Sequence, residues 1–353
     1  MLWAGGIRQF DVASIAEVRL VRGLFATATL AFMHPVKAEE AIAEAYHRHG
    51  VRIFSLDSIE ELHKIRRACA SNGLEAEDLT LCVRLRVSSD HSRLSLASKF
   101  GVSGMEAAEL LFATRRVAQR LGVCFHVGSQ AMSPAAYADA MAIAGAAIAD
   151  AGVTVDIVDV GGGFPSRYPG MKPPVMQRYF ATIEQAFEAL PVSYSAELWC
   201  EPGRALAADY ASLLVRVEKR RGNDLYINDG AYGSLFDAAH VGWRYPARLI
   251  RTGESEEALH AASNSVDFAF YGPTCDDLDH MKGPFRLPAD VRAGDYIEIG
   301  QLGAYGQAMR TAFNGFGDST TVVVTDGPMG SSIPAFELPA AGRPAAHGLA
   351  ASN

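Results

Sequence analysis

Short β-rich runs alternate with amphipathic helical patterns through the first two-thirds of this chain, and that alternation restricts its fold more than any other feature. Parallel strands of one sheet need a crossover of a dozen or more residues, usually a helix, so the pattern predicts repeated βα units over a parallel sheet. Strands are expected at residues 9–13, 26–32, 52–56, 79–85, 123–129, 155–160 and 195–200. Ser58 and Glu61 form a capping box, Ile59, Leu62, Ile65 and Cys69 share one helical face, and Gly73 sits where a C-terminal cap belongs. Ala107, Leu110, Leu111, Val117, Ala118 and Leu121 repeat the helical pattern, closed by Gly122.

These seven strands are one short of the eight that close a (β/α)8 barrel of the TIM type. The chain opens almost directly on a strand, so the expectation is that the first βα unit lies upstream of Met1. Past residue 208 the texture changes to β-rich segments at 212–218, 224–228, 268–271, 296–299 and 320–324, joined by Gly, Asp and Asn turns. The expected organisation is an α/β barrel domain over 1–208, an all-β domain over 209–333 with a polar excursion at 252–265, and a disordered tail over 334–353 rich in Ala, Gly and Pro.

A net charge of −8 with no clustered Lys and Arg argues against nucleic acid as a partner. The longest apolar runs are Ala-rich, interrupted by Asp and too short for a membrane span, and residues 1–6 lack a signal-peptide pattern, so the expected location is the cytoplasm. Five cysteines without C-x-x-C spacing indicate neither a disulfide framework nor a zinc site, and no metal is expected.

The chemistry-bearing residues are placed non-randomly. Asp11, Asp57, Arg84, His126, Gly161, Gly162, Gly163 and Glu201 all fall at expected strand C-termini, the face where barrel enzymes build their sites. Each alone has a plainer reading: a lone strand-end histidine is more often a satisfied structural group, and a lone glutamate an ion-paired surface residue. A triple glycine is a common turn, but after an apolar strand it also forms a nest of backbone N–H groups able to hold a phosphate. It lacks the G-x-G-x-x-G spacing of a dinucleotide site. Arg204 adds charge to that phosphate or bridges on the rim. A strand-end carboxylate, a flat imidazole and a phosphate nest together suit pyridoxal phosphate: Glu201 at the pyridine nitrogen, His126 against the ring and the glycines on the phosphate.

The motifs are specific as a set. They are F-D-V-A-S at 10–14 with Glu17, H-P-V-K at 34–37, L-D-S at 56–58, F-H-V-G-S at 125–129, D-V-G-G-G-F-P at 159–165, E-P-G-R at 201–204, N-D-G-A-Y-G-S at 228–234, Y-G-P-T-C-D at 271–276, G-A-Y at 303–305 and F-N-G-F at 313–316. In these the chain resembles the barrel-type (fold type III, alanine racemase-like) pyridoxal-phosphate decarboxylases of basic amino acids, from Phe10 to about Thr325. The resemblance implies that Asp11 and Arg84 line the cofactor pocket, His126 stacks on the ring, and Ser129, the glycines, Arg204 and Tyr305 hold the phosphate. It further implies that Glu201 pairs with the ring nitrogen, that Cys275 returns a proton to the substrate carbon, and that Asp237 and Asp276 bind the distal ammonium of the substrate. A homodimer with shared active sites is implied, the Cys275 and Asp276 equivalents coming from the neighbouring subunit. Taken alone, Cys275 reads as a buried thiol and Asp237 as a helix cap or turn residue.

The neutral F-N-G-F stands where relatives that bind a second carboxylate carry an arginine, so the resemblance implies decarboxylation of L-ornithine to putrescine, with L-lysine to cadaverine as a further activity. In the family the cofactor-bearing lysine precedes F-D-V-A-S; Lys37 matches a different family lysine, so the cofactor lysine is expected upstream of Met1. The alternatives are a lysine-less homologue acting as a dimerising regulator or relic, diaminopimelate decarboxylase-like activity, and a phosphate-sugar enzyme on a generic barrel.

Overall fold

The computed structural model describes residues 2–251, 253, 264–325 and 327–329, in two compact units: 1–167 with 171–206, and 168–170 with 207–353. The expected tail at 334–353 and nearly all of the expected excursion at 252–265 lie outside the described residues.

The first unit runs β1 (Gln9–Val12), α1 (Ile15–Leu24), β2 (Thr29–Phe32), α2 (Glu39–His49), β3 (Ile53–Leu56), α3 (Ile59–Cys69), β4 (Thr80–Arg84), β5 (Ser92–Leu94), α4 (Gly104–Arg115), β6 (Arg120–Cys124), β7 (Ser129–Ala131), α5 (Ala135–Ala151), β8 (Ile157–Asp159), α6 (Met176–Glu188), β9 (Glu197–Trp199) and the short α7 (Arg204–Ala207). The seven strands of the sequence reading form one parallel sheet in the order β1-β2-β3-β4-β6-β8-β9, the strand run of a (β/α)8 barrel. β5 and β7 pair separately as an antiparallel ribbon.

Local chemistry fixes the boundaries. Ser14 and Glu17 make a variant of the capping box: the Ser14 hydroxyl accepts the Glu17 N–H at 3.2 Å, and Glu17 reaches back one residue past the cap to accept the Ala13 N–H at 2.6 Å. Ser58 caps α3 in the same way at 3.1 Å. Glu61, however, turns away to a buried cluster in which Lys37 Nζ donates to the carbonyls of His34 (2.8 Å) and Ser55 (2.6 Å) and pairs with Glu61 at 3.1 Å. The three ammonium donors of Lys37 are thereby spent on the protein, which agrees with the sequence reading that set it aside as cofactor lysine.

Three expectations need correction. The helical pattern at 107–121 stops earlier: α4 ends at Arg115, and Leu121 and Gly122 belong to β6, which therefore spans Arg120–Cys124 rather than 123–129. The physical reason lies at Gly122, opposite Cys82 in the ladder, where a Cβ would come within 2.6 Å of the Cys82 sulfur. Gly73 does not cap α3; Ala70 does, and Gly73 at φ +78° serves the tight turn between Ser71 and Leu74. The segment 320–324 forms no strand; its valines 322–324 are exposed.

The second unit is β-rich, with β10 (Leu213–Arg221), β11 (Asp224–Ile227), β12 (Ala247–Ile250), β13 (Ser265–Tyr271), β14 (His280–Pro288) and β15 (Tyr296–Ile299) in the order β12-β15-β10-β11-β13-β14. Its pairings are antiparallel except β11 with β13. Alternate residues turn inward: Val215 and Val217 on β10, Phe268 and Phe270 on β13, Phe285 and Leu287 on β14 are buried. Phe270 and Phe285 stack with ring centroids 3.9 Å apart.

Candidate functional site

In the first unit the strand-end prediction holds. Asp11 lies in β1, Arg84 ends β4, His126 follows β6 by two residues, Gly161 follows β8 by two, and Glu201 follows β9 by two. Adjacent strands in register bring these ends together. Asp57, directly after β3, instead accepts the Gly101 N–H at 2.9 Å and so holds the loop of Lys99, Phe100 and Gly101.

The turn after β8 needs glycine for steric reasons. Gly161 and Gly163 have φ of +67° and +100°. A Cβ at Gly161 would overlap the Phe125 carbonyl, one at Gly163 would lie 2.5 Å from the Gly128 carbonyl, and one at Gly162 would lie 2.9 Å from both His126 Nε2 and the Glu201 carbonyl. The carbonyls of all three glycines are taken, by the Glu201 N–H (2.8 Å), the Tyr137 hydroxyl (2.9 Å) and the Ala131 N–H (2.9 Å). Arg204, buried at the start of α7, donates from Nε to the Ser129 hydroxyl at 3.3 Å. The phosphate-side residues of the sequence reading that belong to this unit therefore adjoin one turn.

The acidic side is more heavily charged than the sequence suggested. Exposure falls from solvent-accessible Asp11 through half-buried Arg84, His126 and Glu201 to Asp159, which is 1% exposed. Asp159 was missed as a site residue, although it opens the D-V-G-G-G-F-P motif. Its Oδ1 accepts the Gly161 N–H at 2.9 Å and its carboxyl is hydrogen-bonded to that of Glu201. Burial first, then Asp159 and Asp11, hold the Glu201 carboxyl well above the usual carboxylate range. Asp11 is pushed up to about 7 by desolvation and then by the charges of Asp159 and Glu17, with Arg84 opposing. Asp11 keeps contact with solvent, so its desolvation comes from protein crowding the strand end rather than from enclosure. His126 is lowered to about 4 by burial and by Arg84, which leaves a neutral ring at physiological pH; its Nδ1 accepts the Gly128 N–H at 3.0 Å, placing the ring proton on Nε2.

Asp237, Cys275, Asp276 and Tyr305 belong to the second unit. Asp237 opens a π-helical turn, Asp237–Val241, as a turn residue. Tyr305 is half exposed in a left-handed conformation, φ +64°, after β15. Cys275 is exposed, not the buried thiol of the plainer reading. Its neighbour Asp276 accepts the Tyr232 hydroxyl on Oδ2 and the Leu278 N–H on Oδ1 at 3.0 Å, and these bonds, Tyr232 foremost, hold its carboxyl below the usual range. Asp279, 2% exposed, accepts the Ala231 N–H (2.7 Å), the Thr274 N–H (3.0 Å) and the Thr274 hydroxyl (2.8 Å), which ties the Y-G-P-T-C-D loop to N-D-G-A-Y-G-S. Asp229, Tyr232, Thr274, Asp279, Phe313 and Phe316 line one small cavity. Tyr232 and Asp279 also escaped the sequence reading: Tyr232 lies inside a quoted motif but its partner Asp276 is remote in sequence, and Asp279 falls three residues past the end of Y-G-P-T-C-D.

Among the described residues no helix is long and apolar enough to cross a membrane.

A surplus of carboxyl groups over cations, a neutral flat ring and a glycine turn cleared of side chains fit a phosphorylated pyridine. Comparison with known proteins agrees. Residues 1–208 match the family described as the pyridoxal binding domain of pyridoxal-dependent decarboxylases, and the chain belongs to that family. The fold and the cofactor of that family, pyridoxal phosphate, are therefore those of this chain. It is 29% identical over 337 residues to the lysine/ornithine decarboxylase of Selenomonas ruminantium, covering 93% of this chain and 80% of that protein. Among solved structures it resembles the arginine decarboxylase of Paramecium bursaria Chlorella virus bound to agmatine (25% identity, TM-score 0.76, 90% of this chain and 83% of that one). It also resembles the lysine/ornithine decarboxylase of Vibrio vulnificus complexed with cadaverine (28% identity, TM-score 0.74, 92% and 84%).

Proposed function

We propose that this protein decarboxylates L-ornithine to putrescine, with L-lysine as a second substrate, and works as a homodimer in the cytoplasm. The observation that carries the substrate class is Asp276: a carboxylate kept ionised by the Tyr232 hydroxyl and the Leu278 N–H, beside Cys275, in a loop whose neighbouring F-N-G-F segment offers no cation for a second substrate carboxylate. Such a group recognises a distal ammonium. Ornithine and lysine differ by one methylene, which a site discriminates by only about 1–3 kcal/mol.

In this reading pyridoxal phosphate, when bound, supplies the electron sink for the electron pair left as carbon dioxide departs. His126 presents its neutral ring to the pyridine face, and Glu201 faces the ring nitrogen. Asp11 and Arg84 line the pocket, while the N–H side of the turn at Gly161, Gly162 and Gly163 holds the phosphate with Ser129, Arg204 and Tyr305. Asp237 and Asp276 hold the distal ammonium, and the Cys275 thiol returns a proton to the substrate carbon. In the dimer, Cys275 of the partner subunit and Asp276 of the partner subunit complete each site.

The test is carbon dioxide release from L-ornithine, L-lysine and meso-diaminopimelate by the protein supplied with pyridoxal phosphate. Release from the two diamino monoacids, abolished by Cys275→Ala and not by Cys69→Ala, is the expected result. Preference for diaminopimelate would overturn the substrate assignment, and no release from any of the three would overturn the activity.

A further inference from the structure

We infer that Asp159 is a positioning residue for the cofactor ring: through its bond to Glu201 it fixes the orientation of that carboxyl and keeps a proton on the pair for the pyridine nitrogen. The inference deepens the proposed function and rests on its placing of Glu201 at the ring nitrogen.

The geometry makes a purely structural role for Asp159 inadequate. Its Oδ1 accepts the Gly161 N–H at 2.9 Å, a bond that an asparagine carbonyl would make equally well. An asparagine amide would also donate to Glu201 without setting a fully buried carboxyl against a second, half-buried one. The observed pair is costly unless one proton is shared between them. Nothing nearby removes that cost: the charged groups facing the pair are Asp11, which adds a third carboxyl, and Arg84, while His126 is neutral. Three carboxyl groups against one guanidinium therefore leave the floor of the site short of positive charge. A pyridine nitrogen at Glu201 would take up the shared proton, which leaves the net charge of the site unchanged but sets a pyridinium beside Glu201, with Arg84 offsetting the second carboxylate. The same Asp159 carboxyl, through Gly161, pins the start of the glycine turn. One side chain thus sets both the ring-nitrogen end and the phosphate end of a single ligand.

The register explains why this contact forms. Asp159 pairs with Trp199 across β8 and β9, and the Glu201 N–H bonds back to the Gly161 carbonyl at 2.8 Å, so the two strand ends run on together past the sheet.

The test compares binding of pyridoxal 5'-phosphate with binding of its 1-deaza analogue, which keeps the phosphate and the aldehyde but has no ring nitrogen. Binding to the whole protein is followed by quenching of intrinsic fluorescence. Wild type is expected to favour the nitrogen-bearing ligand by at least tenfold. Asp159→Asn, which retains the Gly161 bond and the side-chain volume, is expected to lose most of that preference while binding the deaza analogue within about twofold of wild type. Glu201→Gln is expected to lose the preference too, and adding Asp159→Asn to it to change nothing further, because Asp159 acts through Glu201. Equal weakening of both ligands by Asp159→Asn would mark it as structural only and overturn the inference while leaving the proposed function standing. So would additive effects of the two substitutions. Absence of any preference in wild type would instead show that Glu201 does not face the nitrogen, and that part of the proposed function would fall together with this inference.

Discussion

The two units each collect aspartates, and the protein treats them in opposite ways. In the first, Asp11, Asp159 and Glu201 are crowded together with a single guanidinium, and burial drives all three upward, toward the protonated form. In the second, Asp276 is surrounded by donors and driven downward, toward the anion, and Asp279 accepts three hydrogen bonds. The difference is one of donor supply. A carboxylate met by N–H and O–H groups is a finished anion, ready for an ammonium, whereas carboxyl groups facing one another are an unfinished charge balance that calls for a protonated heterocycle. One residue type thus makes a cofactor floor in one unit and a substrate anchor in the other.

The hub of the second region is the place to break this comparison most severely. Asp279→Ala leaves the buried Ala231 N–H and the two half-buried Thr274 donors without their acceptor, at a cost of about 3 kcal/mol on the usual 1–3 kcal/mol for a fully buried group and less for donors that reach water. Urea unfolding followed by tryptophan fluorescence should show this loss. Faster alkylation of Cys275 by iodoacetamide should accompany it, because the loop that carries the thiol loses its tie. An unchanged midpoint would mean that donor supply is not what stabilises the acidic loop.

Asp276→Asn removes the anion and keeps the shape. Binding of putrescine should weaken roughly thirtyfold, since a charge-assisted hydrogen bond becomes a neutral one. Cofactor binding should not change, and titration calorimetry with each ligand separates the two outcomes. If both fell together, the division of labour between the regions would be wrong.

In the first region the sign reverses, and removing a carboxylate stabilises. The Asp11 carboxyl is raised from 3.8 to about 7 in the folded protein. Its contribution to stability is therefore fully present below about pH 3.8 and is lost as pH rises through 7. At 1.36 kcal/mol per unit the full loss would be about 4 kcal/mol, but Asp11 keeps contact with solvent and screening reduces it to about 1–2 kcal/mol. Without cofactor, Asp11→Asn should gain little stability at pH 4, progressively more up to pH 7 and nothing beyond. Chemical denaturation across that range checks both the sign and the window.

How much of this was legible beforehand follows the range of the interactions. The N-cap at Ser58 is set by a residue three positions on, and the seven parallel strands by local apolar runs, so both could be read directly, whereas the return half of the box expected at Ser58 could not, because Glu61 turns to Lys37 across the fold. The start of β6 could not, because Leu121 satisfies a helical and a strand period equally and only the packing of Gly122 on Cys82 decides between them. β14 was hidden by Gly283, Pro284 and Pro288, which break a strand pattern without preventing the pairing with β13. The converse error was the Val-rich segment at 320–324, where β-propensity found no pairing partner. Within the sites, residues with a motif role were visible, while Asp159, Tyr232 and Asp279 act on groups brought together by strand register and remained hidden.

The finest test of donor supply is Tyr232→Phe. The phenolic hydroxyl binds Asp276 on Oδ2, and the Leu278 N–H binds Oδ1 at 3.0 Å, so the phenylalanine variant leaves the carboxylate with one donor of two. The ring remains, and its contact with Phe313, centroids 4.6 Å apart, should keep the loop in place. The Asp276 carboxyl should then titrate closer to an ordinary aspartate yet stay ionised at neutral pH, since the Leu278 N–H and His240 still lower it. Putrescine binding should accordingly weaken only about threefold, far less than for Asp276→Asn, and the loss should deepen only as the pH falls below about 4. A loss as large as that of Asp276→Asn would make Tyr232 itself the ammonium's partner. A loss of nothing would leave the Leu278 N–H as sufficient, and the contrast between the two regions would then rest on crowding in the first alone.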